Sequence, residues 1–492
     1  MRRTIFGALA IACAAAALFT VVLWVTDDPD ANVSRNRLVN DAGVIDAHNS
    51  PSLARDPRAP DRVVATYRVD RPGFSAALDW SADGGRTWKR TALPLPPGLD
   101  RPYAPDVAFG PTGTLYVTYV NLQGSGNVPA NLWMSKSSDG GRTLSAPVRI
   151  TGKLAFQARV VVDPADAVHV TWLQGREVGL LALVGPPSPV VASRSSDGGR
   201  SFSRPVRVSS PRRALVGAAS PVIDADGQLV VLYEDFKDDR RDFENLEGPP
   251  WERPFGLVVT RPIGNGPFST GVELEKDVVP TRRFLAFLPE FPSLAAGPGD
   301  TLYAAWSDGR NGDEDVFLRR SEDDGRTWSA ATRVNDNPKA DRTSQYLPRV
   351  DVAPDGRVDV LYLDRRRDKE NVMTDATLAS SHDGGRSFAS TRLSSRSFDS
   401  RVGPSASTAL PVDFGSRLGL SSGRHRSLAA WTDTRLGTRD TGRQDVISAI
   451  YDAPVSRSPL ARGTVLGVLL ILSMGFAALA ARAGKDDDPQ PG

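Results

Sequence analysis

Ser81-Ala82-Asp83-Gly84-Gly85-Arg86-Thr87-Trp88 decides how this chain is read, because the same eight-residue phrase returns four more times. The copies run from Ser137 to Leu144, Ser195 to Phe202, Ser321 to Trp328 and Ser381 to Phe388. Each follows one strand-like run and precedes another, so the phrase reads as a hairpin turn. Its Asp can cap backbone N–H groups, Gly-Gly or Asp-Gly supplies the positive-φ positions, and the closing aromatic can tuck back under the turn. A recurrence of roughly 60 residues is the signature of a repeat fold, here one four-stranded propeller blade per copy.

The pattern S-x-D-x-G-x-[T/S]-[W/F] resembles the Asp-box of sialidase-like proteins, and the resemblance spans roughly residues 48 to 452. It implies a β-propeller in which the box is a structural turn on the face away from the ligand site. Function does not follow from the fold, because such boxes occur in hydrolases and in non-catalytic propellers.

The chain has 492 residues, 24% of them charged, with a formal net charge of +2. That balance gives no electrostatic case for nucleic acid. The single cysteine, Cys13, lies in an N-terminal apolar run, so the folded part has neither disulfide nor thiol chemistry. No cofactor is expected. The four histidines, His48, His169, His382 and His425, are scattered. The oxygen-rich loop Asp308, Asn311, Asp313, Asp315 reads as solvated acids more readily than as a Ca²⁺ site.

Two apolar runs flank the repeats. Thr4 to Val25 follows Arg2 and Arg3, and Gly463 to Ala481 lies between Arg462 and Arg482. Each is long enough to cross a bilayer. The first could be a cleaved signal peptide, but its length and lack of an obvious A-x-A exit favour an uncleaved anchor, and its twelve residues past Cys13 argue against a lipoprotein signal. Arg2 and Arg3 would hold the N-terminus in the cytoplasm and put the repeats outside. The expected organisation is a signal-anchor over 1–31, a propeller over 32–452, a linker over 453–462, a transmembrane helix over 463–482 and a cytoplasmic tail over 483–492. The fold class is all-β, a single propeller of four-stranded blades between two membrane-spanning helices.

Aligning the strand that opens each repeat counts the blades. Pro105 to Gly113 matches Pro348 to Gly356, and related openings begin near Pro51, Ala158, Ala219, Pro292 and Gly415. That favours seven blades, with six as the alternative. The fourth repeat has Arg261 to Phe268 where its box should stand, and the seventh runs out at Asp452. Asn36 to Asp41 echoes Ala331 to Asp336, so the N-terminus is expected to supply the seventh blade's outer strand and remove an exposed sheet edge.

Function should sit on the face bearing the long loops, Asn121–Asn131, Gln174–Pro189, Asp235–Pro254, Asp308–Asp315, Asp364–Asp375 and Asp433–Asp445. Two alignment columns point toward the central opening. Asn49, Tyr103, Phe156, Glu290 and Tyr346 stand before the landmark Pro; Ser52, Asp106, Arg159, Ser220, Ser293 and Arg349 follow it. Arginine offers a planar fork for a carboxylate, although pairing with acids between blades is the blander role for Arg159 and Arg349. A third column, Asp308/Arg310, Asp364/Arg366 and Asp433/Arg435, reads as an ion-pair belt, since a motif repeated this way more often serves architecture than chemistry.

The resemblance implies three arginines on a substrate carboxylate, a Tyr–Glu nucleophile pair and an Asp acid/base. Carried onto this chain, these are Tyr346 as nucleophile, Glu290 as its base, Asp106 as acid/base, and Arg159, Arg349 and Arg101 as carboxylate ligands, with Tyr103 beside them. The family's Phe/Tyr-Arg-Ile-Pro motif is absent, and His48-Asn49-Ser50-Pro51 stands in its place without the arginine. Two function classes remain. The favoured one is a membrane-anchored, extracytoplasmic propeller that binds a glycan or a surface protein. The alternative is an exo-sialidase-type glycoside hydrolase at the cell surface.

Overall fold

The second strand of each repeat is a run of β-branched and aromatic residues, as in Leu229-Val230-Val231-Leu232-Tyr233, buried on both sides. A strand buried on both faces needs a neighbouring sheet against each, and stacked blades provide that. The computed structural model describes residues 32–453 except 42, 44, 125–126, 176–187, 240–252, 265, 280–290 and 405–411. Its strands, β1 to β29 in chain order, form seven antiparallel sheets, and both apolar runs lie outside the described residues.

Blades 1 to 6 are consecutive meanders whose inner strands are β2 (Ala47–Arg55), β6 (Pro102–Phe109), β10 (Ala155–Val162), β14 (Val216–Ile223), β18 (Ser293–Ala296) and β22 (Gln345–Val352). Blade 7 is composite. Its order is β1 (Arg37–Leu38), β29 (Asp445–Asp452), β28 (Arg426–Asp433), β27 (Gly419–Ser422), with Arg37 opposite Ser448 and Leu38 opposite Ile447. The expected closure by the N-terminal strand is therefore present, and the count is seven. The seventh repeat lacks a box because the loop between its third and fourth strands is where the chain is open.

Apolar clusters bridge most neighbouring blades. Val39, Leu53, Val63, Tyr67, Leu428, Val446 and Ile450 join blade 7 to blade 1, so the closure is sealed by core packing as well as by the short ladder. The junction of blades 6 and 7 is polar instead. Arg357 and Asp359, 1% and 0% exposed, form a bidentate pair that also binds Ser427 and the Gly423 carbonyl, while Ser380 and Ser422 donate to Asp359.

The box turns have one shared geometry. In the first, Ser81 Oγ donates to Asp83 Oδ1 at 2.7 Å and accepts Gly85 N–H at 2.9 Å. Asp83 accepts the backbone N–H of Arg86 and Thr87 and the Thr87 hydroxyl. Slight burial pushes the Asp83 carboxyl up, but these hydrogen bonds outweigh it and hold the group at about 2. A side chain at Gly85 (φ 94°) would strike Leu428, so this glycine serves the close approach of blade 7 as well as the turn. The turn that replaces the box in blade 4 closes differently, through Ile263 N–H to the Pro267 carbonyl.

Candidate functional site

Every inner strand but one reaches the axis through the same distortion. Ser50, Ala104, Gln157, Ala218 and Leu347 have φ between 48° and 56°, and Gly415 takes the equivalent place in blade 7 with φ 94°. A register shift follows in the ladders of the five non-glycine cases, for example between Tyr103 and Asp106 and between Tyr346 and Arg349. A left-handed non-glycine residue costs about 1–3 kcal/mol, so five in one ring are held there by their surroundings. The bulge re-aims the residues that follow it.

Those residues do two jobs. Where the column carries Ser or Asp, the side chain ties one blade to the next: Asp106 accepts Val160 N–H (3.0 Å), Ser220 accepts Leu294 N–H (3.0 Å) and Ser293 accepts Val350 N–H (3.1 Å). Arginine cannot accept, so blade 3 makes its tie through Gln157 Oε1 to Ala218 N–H at 2.7 Å. The two arginines of the column are thereby released from architecture and turn toward the axis.

There they meet a third. Arg159, Arg349 and Arg417 line one pocket with Ser220, Phe291 and Ser293. Arg417 donates from Nε to the Ser50 carbonyl at 3.1 Å, from Nη2 to the Pro105 carbonyl, and from Nη1 to Asp106 Oδ1 at 3.4 Å. The Arg159 guanidinium lies over the Phe291 ring, 4.9 Å from its centroid. Among the described residues, Asp106 is the one carboxylate in ion-pair contact with any of the three. Burial and the Arg159 charge push Arg417 down to about 9, with Asp106 opposing and Arg68 and Arg349 adding to the shift. Burial also lowers Arg159, against the pull of Asp106. At neutral pH these groups stay charged at a cost, and an incoming anion would relieve it.

Arg417 is the functional residue that the sequence alignment missed. Aligning the positive-φ Gly415 with Ala104 and Leu347 makes Arg417 the seventh member of the column; starting the repeat one residue earlier hid it. Asp106 lies beside the cluster, but its oxygens are taken by Ser52 (2.7 Å), Val160 N–H and Arg417, so its visible work is positioning.

The other expected residues are elsewhere. Arg101 is held by Asn127 (2.6 Å) and the Gly124 carbonyl (2.9 Å) in its own blade, away from the three-arginine pocket. Tyr346 is fully buried, with its hydroxyl 3.2 Å from Thr374 and 3.3 Å from Ser400 and Arg365 stacked on its ring. A nucleophile must reach its substrate, so the role given to Tyr346 is withdrawn in favour of a packing role. Glu290 lies outside the described residues. Tyr103 donates to Asp70 at 2.6 Å, and Asp70 also receives Arg68 (2.8 Å) and Asn49 (2.7 Å), while Arg68 reaches Asp413 at 2.7 Å. Burial pushes the Tyr103 hydroxyl well up; Arg68 opposes, and Asp70 and Asp413 add to the rise.

The third column is architecture. Arg435 forks onto Asp433 at 2.6 and 2.9 Å, Arg366 bridges Asp364 and Asp336, and Arg310 bridges Asp308 and Glu275. The Trp306 and Trp431 indoles donate to the same aspartates. In the loop considered for Ca²⁺, Asp308 is bound by Arg310, and Asp315 by Arg333 and Asn311. Among the described residues no group of three or more His, Cys, Asp or Glu is arranged to hold a metal ion.

Fold and pocket together define a seven-bladed β-propeller with an arginine-lined axial pocket. No protein-family model matches the chain, and no curated protein matches it. Similar solved structures include a Dyadobacter fermentans protein of unknown function, at 12% identity and a TM-score of 0.45, covering 86% of this chain and 100% of that one. A Hadza microbial sialidase aligns at 17% identity and a TM-score of 0.43, covering 70% and 66%. A Penicillium chrysogenum α-L-arabinanase complexed with arabinobiose aligns at 14% and 0.42, covering 73% and 95%. At these identities and scores the likeness carries no argument about chemistry.

Proposed function

We propose that this protein is a membrane-anchored, extracytoplasmic propeller that binds a carboxylate-bearing glycan in its axial pocket. The observation that carries the reading is the convergence of Arg159, Arg349 and Arg417, from three different blades, with Asp106 as their one ion-paired carboxylate among the described residues. Three forks against one acid leave positive charge in a low-dielectric site, which suits a bidentate anion. Phe291 offers an apolar wall for a sugar face. Anchoring is assigned to the apolar runs Thr4 to Val25 and Gly463 to Ala481. The test is an array of acidic and neutral glycans probed with the full chain. Sialylated or uronic-acid glycans are expected to bind, neutral ones to fail, and Arg159→Ala to lose the signal; indifference to the acid group overturns the reading.

One observation keeps a hydrolytic reading in view. Tyr103 donates to a carboxylate, Asp70, beside Arg68, which is the kind of pair a tyrosine nucleophile needs. Burial disfavours the phenolate, so binding without turnover is the reading we adopt. Hydrolysis of fluorogenic sialosides that Tyr103→Phe abolishes would reverse that choice.

A further inference from the structure

The propeller begins and ends on the same face. β29 finishes at Asp452, which lies opposite Arg426 at the start of β28 and pairs with it at 2.7 Å. Val33 bridges to Tyr451, and Ser34 N–H donates to the Ile450 carbonyl at 2.9 Å. In an antiparallel meander the turns after strands one and three share a face, so both chain ends emerge on the face that carries the five box turns. The axial pocket belongs to the opposite half of the inner strands. Residues 26–32 and 453–462 are all that separates these ends from the apolar runs, about 25 and 35 Å at full extension.

The surface at these ends is basic. The turn between β27 and β28 exposes Arg424, His425 and Arg426, and buried Arg357 pins it through the Gly423 and Arg424 carbonyls. Arg35 precedes β1, Arg58 stands on the first turn of blade 1, and Arg86 in that blade's box; all are exposed. Asp452 neutralises Arg426 and Asp56 neutralises Arg62, whereas Arg35, Arg58, Arg86 and Arg424 lie outside ion-pair distance of any acid among the described residues. Asp61 on the blade 1 turn and Asp27, Asp28 and Asp30 in the N-terminal connection oppose this charge; Arg457 and Arg462 in the other connection add to it. Across the same face, Ile263 stands on the turn that replaces the box of blade 4. At 64% it is the most exposed large apolar side chain among the described residues.

We infer that this box face is a docking surface for the anionic lipid headgroups of the bilayer that holds the chain, through Arg35, Arg58, Arg86 and Arg424, with Ile263 entering the interface. The inference rests on the anchoring proposed above. Two short connections keep the face near the membrane, and juxtamembrane cations are drawn to anionic headgroups within a Debye length. The axial pocket then opens away from the bilayer, toward glycans in the surrounding medium.

The full chain, with Cys13→Ser and a single fluorophore at Ala82→Cys (box face) or Lys369→Cys (loop face), is reconstituted in vesicles of phosphatidylcholine with or without phosphatidylglycerol. Headgroup-attached quenchers report proximity, and carbonate extraction reports anchoring separately. Carbonate-resistant retention is expected for every variant. Quenching is expected at residue 82 and not at 369, stronger with phosphatidylglycerol, and reduced by Arg58→Glu with Arg424→Glu to the level seen in phosphatidylcholine. Retained protein whose two labels are quenched alike, or whose quenching ignores phosphatidylglycerol, overturns the docking surface alone. Release by carbonate overturns the anchoring and the inference together.

Discussion

At the scale of single residues, Arg349 separates binding from stability. No hydrogen bond or ion pair fixes its guanidinium among the described residues, while it raises the cost of charge on Arg159 and Arg417. Arg349→Met should therefore leave the unliganded fold as stable as the wild type, or more so by up to about 1 kcal/mol, while losing about 1.5–3 kcal/mol of anion affinity, roughly ten- to hundredfold. Thermal melting and titration with an acidic glycan read the two effects separately. Asp351 gives a pH signature. Burial raises its carboxyl to about 6, against the Ser422 N–H and Arg349. A group whose folded value is raised contributes stability that is complete below about pH 4 and lost as pH rises through 6. Asp351→Asn should remove that slope and stabilise the protein at pH 7 by at most about 3 kcal/mol. Unchanged pH dependence of denaturant unfolding in this variant would rule the assignment out.

At the scale of elements, the junction of blades 6 and 7 is where an apolar strategy gives way to a buried ion pair. Removing one partner leaves an uncompensated charge, so Arg357→Ala or Asp359→Ala should each cost about 3–5 kcal/mol, while replacing both with apolar residues should cost far less. A double-mutant cycle by denaturant unfolding measures the difference. The elements also show what local sequence can and cannot carry. The box turns were legible because Ser81, Asp83, Gly85 and Thr87 bind one another within seven residues, and the same local bonds recur wherever the phrase does. The closure by β1 was legible through a short echo of another blade's outer strand. The site was legible only in part. Arg159 and Arg349 declared themselves by column, but Tyr346 shares a column with Tyr103 and has a different fate. One is sealed behind Thr374 and Ser400, the other reaches Asp70 on the preceding blade, and that depends on neighbours 28 to 54 residues away. Arg417 stayed hidden because Ser416 stands where the other repeats carry the landmark Pro or Ala, so the seventh repeat was started one residue early, at Gly415.

At the scale of the whole molecule, the seven inner strands act as one ring. Five of them are bent alike by a non-glycine residue in left-handed conformation, and Ser or Asp side chains stitch most neighbours together. Where arginine replaces the stitch, charge is left facing the axis. The central claim is that this charge recognises a carboxylate. The measurement that tests it most directly is calorimetric titration of the full chain with the methyl glycosides of N-acetylneuraminic acid and glucuronic acid, each beside its uncharged methyl ester. The account predicts that at least one acid binds ten times or more tightly than its ester and that Arg417→Ala removes the difference. Equal affinity for acid and ester, or no binding of either acid, would contradict it.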